Sequence, residues 1–155
     1  MAKETITRRA ADNTYLHKDF HGALSTGIAY LESQEGPEAV REYIRQFART
    51  FYAPLTRSIQ AGGLRVLRDR LESIYATEGG RIRITFSEDE MLLEVEECPA
   101  VMHMRQNGYA VAPLFHETSR SLYPAILEGT PFASEWLRHD PETGRCAVRF
   151  YRRVS

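Results

Sequence analysis

The stretch "GRIRITFSEDEMLLEVEECP", residues 80–99, decides the fold. Ahead of it, apolar residues recur every three or four positions; within it they recur every second one. Ile82, Ile84 and Phe86 alternate with Arg81, Arg83 and Thr85, the period-2 signature of a half-buried strand. "SEDE" is a turn, and "MLLEVEEC" returns as the hairpin partner. The change of period at Gly80 marks where a helical half ends and a sheet begins.

Upstream of that point three amphipathic stripes are expected as helices. Leu16, Phe20, Leu24, Ile28 and Leu31 form the first, capped by Asp12 or Asn13 and stopped by Gly36, with Pro37 in the first turn of the next. Val40, Tyr43, Ile44, Phe47, Ala48 and Phe51 form the second, ending near Pro54. After Gly62 and Gly63, Leu64, Leu67, Leu71, Ile74 and Tyr75 form the third. Downstream of the hairpin, "PAVMHMRQNG" is a short helix between Pro99 and Gly108, and "TSRSLYPAILEG" is another in which Pro124 requires an early position or a kink. "FASEWLRHD" and "RCAVRFYRR" are two further strands around the turn "PETG". The expected fold is α+β: a three-helix N-terminal layer on an antiparallel four-stranded sheet, with ββααββ order in the C-terminal half. Residues 1–12 are read as a loose polar segment, 13–79 as the helical layer and 80–153 as sheet and short helices, all in one domain.

Composition narrows the function. The chain has 155 residues and a formal net charge of −1, so no nucleic-acid or polyanion partner is indicated. No apolar run is long enough for a bilayer and no signal-peptide core opens the chain, which reads as a cytoplasmic protein without a membrane partner. Cys98 and Cys146 are read as thiols rather than as a disulfide framework. Phosphate-loop, dinucleotide and nucleophile-elbow patterns are absent.

Two concentrations of reactive side chains remain. In "YLHKDFHGAL", residues 15–24, His17 and His21 stand one turn apart beside the apolar stripe, while Lys18 and Ser25 point away. The expectation is that His17 packs with a satisfied ring nitrogen and that His21 borders a cavity and contacts substrate. The second is "CPAVMHMRQNGYAVAPLFHETSR", residues 98–120, which supplies Cys98, His103, His116, Glu117 and Thr118. Cys98 precedes a helix start, where the positive helix end favours thiolate. His116 and Glu117 stand ahead of another helix whose amides can hold an anion. Cys98, His103 and His116 are also candidate ligands for a divalent metal such as zinc, although their spacing matches no zinc-finger pattern. Cys146, in register with Val148 and Phe150, reads as core, as do Phe132 and Trp136; Glu135 and His139 share the other face of their strand by alternation.

Taken with "YLHKDFHGALSTGIAYLESQEG" and "GRCAVRFYRR", the second segment resembles the L-2-amino-thiazoline-4-carboxylic acid hydrolase family across roughly residues 13 to 153. The likeness rests on Cys98–Pro99, His103, the "PLFHET" segment and Cys146. A cysteine commonly stands in that family where this chain has His116. The resemblance implies opening of a cyclic amidine or thiazoline acid: His116 or Glu117 as base, His103 or His21 as donor, Thr118 at the substrate, and Cys98 as nucleophile or metal ligand. More distantly, the plan resembles 4-vinyl-reductase-type domains, small-molecule sensors that can hold a structural zinc. There Cys146 falls at the last ligand position, Glu135 lies upstream, and Arg138 replaces a cysteine. Two functions follow: a hydrolase of a small cyclic acid, or a non-catalytic small-molecule sensor, with a homo-oligomer compatible with either.

Overall fold

In the computed structural model, residues 18–155 are described. Four helices come first: α1 (Asp19–Glu35), α2 (Pro37–Phe51), α3 (Ala53–Gly62) and α4 (Leu64–Glu78). The hairpin β1 (Arg81–Phe86) and β2 (Glu90–Glu97) follows, then α5 (Pro99–Gln106), α6 (Glu117–Arg120) and α7 (Leu122–Ile126), and finally β3 (Phe132–His139) and β4 (Cys146–Arg152). The fold is α+β, as the change of period at Gly80 requires. The expected N-cap at Asp12 or Asn13 and the packing of His17 lie outside the described residues.

The helical layer holds four helices where three stripes were expected. Pro54 is not only a stop: it occupies the first turn of α3, where its missing N–H costs nothing. Gly79 ends α4 in the left-handed conformation (φ 77°, ψ 23°), and its amide bonds back to Tyr75 O. The single helix expected around Pro124 is two short ones meeting at Ser121.

The sheet runs β1-β2-β4-β3, antiparallel throughout. Its inner face carries Met91, Leu93 and Val95 in register with Phe150, Val148 and Cys146. Against it pack Leu64, Leu67 and Leu71 of α4, Ile59 of α3, and Ile126 and Leu127, all buried. A second apolar cluster joins Ile28, Val40, Val101, Met104, Ala112 and Phe115, and Cys98 packs against both clusters. The outer face is a ladder of exposed ion pairs, among them Arg83–Glu94 at 3.2 Å, Arg138–Glu94 at 2.8 Å and Arg149–Glu90 at 2.9 Å. Such pairs contribute little stability each, at most about 1 kcal/mol, but they keep that face wet.

Two helical faces depart from the expected stripes. On α2 only Val40, Ile44 and Ala48 are buried; Phe47 is 40% exposed and stacks on Phe51. On α1 Phe20 faces solvent, while Ser25, expected to point away, is 1% exposed. Its hydroxyl donates to Ala110 O (2.9 Å) and accepts from Ala112 N (2.7 Å). That pair of bonds pulls α1 towards the 110–112 connection, and the helix rolls to bury a polar residue that clamps the chain.

One irregularity in the sheet matters for the site. Trp136 pairs with Val148, but Arg138 pairs with Ala147 and His139 with Cys146, so Leu137 is an extra residue in β3. The bulge reverses the alternation. Glu135 stays on the outer face, 3.5 Å from Arg149, whereas His139 joins Trp136 and Cys146 on the inner side. The expectation that Glu135 and His139 share a face is corrected by this one residue.

Candidate functional site

A cavity of about 240 Å³ opens at the β3–β4 end of the sheet. Its floor is Tyr75, Cys98 and Cys146; one wall is Val101 and Arg105 of α5, another the connection from Val111 to Ser119. Trp136 and His139 come from β3, and Pro141, Glu142 and Gly144 from the turn that follows. That turn is rigid. Asp140 accepts from the Glu142 amide at 2.9 Å and the Thr143 hydroxyl at 2.8 Å, and its own amide donates to Arg145 O. Gly144, at φ 74°, lies so close to α5 that a Cβ there would stand 2.8 Å from both Cys98 Cβ and Val101 Cγ2. Only glycine lets the turn close on the helix.

Inside, His116 and His139 bring their rings within 4.7 Å, tilted by 36°, and Trp136 lies 5.9 Å from His139. Burial holds His139 below the ordinary imidazole value; the neighbouring His116 and Arg120 push the same way, and Asp140 opposes them. His139 is therefore a neutral hydrogen-bonding group at neutral pH. Behind His116 stands Glu117, 1% exposed, with Oε1 3.6 Å from His116 Nε2. Glu117 accepts from Arg41 Nε at 3.1 Å and from the Ser121 hydroxyl. A buried carboxylate needs such partners. Arg41 thus ties α2 to the wall of the cavity.

Cys146 is buried in the core as expected, but Cys98 is not poised as expected. Cys98 does stand at the start of α5, and the Val101 and Ala100 amides pull its pKa down, but burial outweighs them and the net movement is upward. Cys146 is pushed up to about 12, first by burial and then by Cys98. The helix end was a sound expectation; desolvation is the larger effect.

Of the expected site residues, Cys98, His116 and Thr118 line the cavity, and Glu117 backs His116. Thr118 donates its hydroxyl to Phe115 O at 2.7 Å. His103 and His21 are not among the lining residues. His103 Nε2 faces Asp19 at 3.0 Å and its ring meets Tyr109 edge-on; His21 Nε2 lies 3.3 Å from Glu78 on α4. His21 is thus an inter-helix tie where a cavity residue was expected. Among the described residues no three His, Cys, Asp or Glu side chains come together as a metal site, so the set Cys98, His103 and His116 is not assembled. Glu135 and Cys146 lie on opposite faces of the sheet, so they do not converge either. Sequence reading missed His139, Trp136 and Arg105 as lining residues. His139 is placed by the bulge, which an alternating pattern conceals; Trp136 sits on the inner face by plain alternation and lines the cavity from there.

No protein-family model matches the sequence, and no curated protein matches it significantly. The class that the structure defines is an α+β fold with helices and an antiparallel sheet enclosing a small cavity. A solved structure of this fold is the phenol-responsive sensory domain of the transcription activator PoxR, determined with phenol. The likeness has a TM-score of 0.52 and covers 88% of this chain and 75% of that one, at 16% identity. That neighbour is a small-molecule-binding sensory domain, and the two chains share a fold. No helix among the described residues is long and apolar enough to cross a membrane.

Proposed function

We propose that this protein is a small-molecule-binding module whose ligand, a single planar ring, occupies the cavity between α5 and β3–β4. The observation that carries this is the grouping of Trp136, His116 and His139 around one enclosed space. An indole beside two imidazoles offers flat surfaces for a ring. Neutral His139 offers a nitrogen to a hydroxyl or an N–H. Thiols kept protonated by burial suit packing better than attack on an electrophile. A fold shared with a phenol-responsive domain supports the same reading, and a phenol is the natural first ligand to try.

The hydrolase reading rests on the sequence resemblance and on the His116–Glu117 pair as a base. One experiment separates the two. Phenol, catechol and a cyclic thiazoline acid are each titrated while thermal stability and the fate of the compound are followed. Ring binding raises stability by RT ln(1 + [L]/Kd), about 2.7 kcal/mol at a hundredfold excess over Kd. Stabilisation with the compound recovered intact supports the module. Multiple turnovers of the thiazoline acid would replace it with the hydrolase.

A further inference from the structure

We infer that the ligand is an aromatic carboxylate, seated ring inward, and that Arg105 at the cavity mouth selects its charge. This rests on the cavity being the binding site. Most of the charged groups around the space are already engaged. Asp140 already has its oxygens occupied by the Glu142 amide and the Thr143 hydroxyl. Glu117 is sealed behind His116 by Arg41 and Ser121. His139 is neutral, and Arg120 acts on it from outside the lining. That leaves two charged side chains on the lining itself, Arg105 and Glu142.

These two stand on opposite lips, one near the end of α5 and the other on the β3–β4 turn. Their contact is loose: Arg105 Nη2 and Glu142 Oε2 are 3.8 Å apart, and the Glu142 side chain is 82% exposed. A pair of this length is held by weak, screened attraction rather than by a hydrogen bond. Arg105 therefore keeps the capacity of its planar fork to take a carboxylate through two parallel bonds. Depth sorts the ligand's two ends. The walls away from the mouth are Val101, Phe115 and Trp136 with the two neutral thiols, which accept a ring but would make a buried carboxylate costly. At the mouth the carboxylate keeps its solvent while meeting the guanidinium. Binding would displace Glu142 from Arg105, so Glu142 acts as a competing counter-ion.

The test compares benzoate with benzamide, its neutral isostere, by titration calorimetry on the full chain. Wild type should bind benzoate at least tenfold more tightly than benzamide, with the difference shrinking as salt rises. Arg105→Gln should weaken benzoate at least tenfold and bring the two affinities together, while Arg105→Lys should keep part of the preference. Glu142→Gln should strengthen benzoate binding two- to fivefold. If Arg105 merely braced the turn through Glu142, that last variant would weaken benzoate instead, and the proposal would fall. Binding of benzamide or phenol without benzoate overturns the charge assignment alone. Binding of none of the three overturns the cavity reading with it.

Discussion

His116 and His139 lie side by side on the cavity lining, 4.7 Å between ring centroids, although one comes from an irregular connection and the other from the end of a strand. Burial and the neighbouring His116 both depress the pKa of His139. The unfolded chain takes up a proton near pH 6.5 that the folded chain still refuses. Stability should therefore be complete above that pH, fall as pH drops towards the depressed value, and level off below it. Denaturant midpoints measured from pH 8 to pH 5 should show this fall in the wild type. His139→Gln should show a shallower one, and identical profiles would mean that His139 is not so perturbed.

The two thiols should differ in access more than in chemistry. Burial raises both, Cys146 to about 12, so iodoacetamide at pH 8 should modify each more slowly than a free cysteine peptide. Cys98 is the less buried of the two and should react first. A ring ligand that stabilises the protein should slow it further. Peptide mapping over time reads both rates, and equal rates would sink the distinction.

Glu117 should tie α2 and Ser121 together behind the cavity. Replacing it with alanine leaves Ser121 and Arg41 without their shared acceptor and opens a small void, for a loss of about 1–3 kcal/mol. Arg41→Met tests the same pair from the other side. It strands a buried carboxylate, so its destabilisation should exceed that of Arg41→Lys, which keeps a cation beside Glu117. Urea unfolding of the two variants decides this; equal losses would show that the carboxylate does not need a cation there.

Gly144→Ala should cost about 1–3 kcal/mol, the usual range for forcing extra volume into a packed contact, with the positive φ adding to it. The β3–β4 turn would lift from Cys98 and Val101, so Cys98 should alkylate faster. Gly108 also has a positive φ but meets nothing within 4 Å, and Gly108→Asn should leave the alkylation rate alone. A silent Gly144→Ala would mean that the turn does not seal the cavity.

Ser25→Ala should cost about 1–3 kcal/mol, because Ala110 O and Ala112 N both lose their partner in a buried place. Hydrogen exchange at the Ala112 amide should accelerate more than exchange within α5. Uniform acceleration would show global loosening rather than a broken clamp.

How much of this could be read from residues alone depended on how local the cause was. The strands at Ile82–Phe86 and Met91–Val95 follow from alternation that needs no partner to be seen. Cys98 and His116 entered the site because proline, cysteine and histidine are punctuated locally. Phe47 was expected inside because an apolar stripe records which faces are apolar, not which one a neighbour covers. Ser25 was placed outside for the converse reason, since its partner lies far along the chain at Ala110–Ala112. The thiolate expectation for Cys98 weighed a helix end, which sequence shows, without the depth of burial, which it does not.

The extra residue in β3 has a consequence for how such a protein could diverge. Deleting Leu137 would make the ladder regular while keeping Arg138 opposite Ala147 and His139 opposite Cys146, so His139 would still face inward. A single lost codon would thus spare the imidazole at the cavity, whereas straightening the strand with Leu137 kept would put Arg138 beside Cys146 and turn His139 outward. Relatives shorter by one residue at this point should keep the same lining, and those of equal length that pair the strand without a bulge should differ in what they bind.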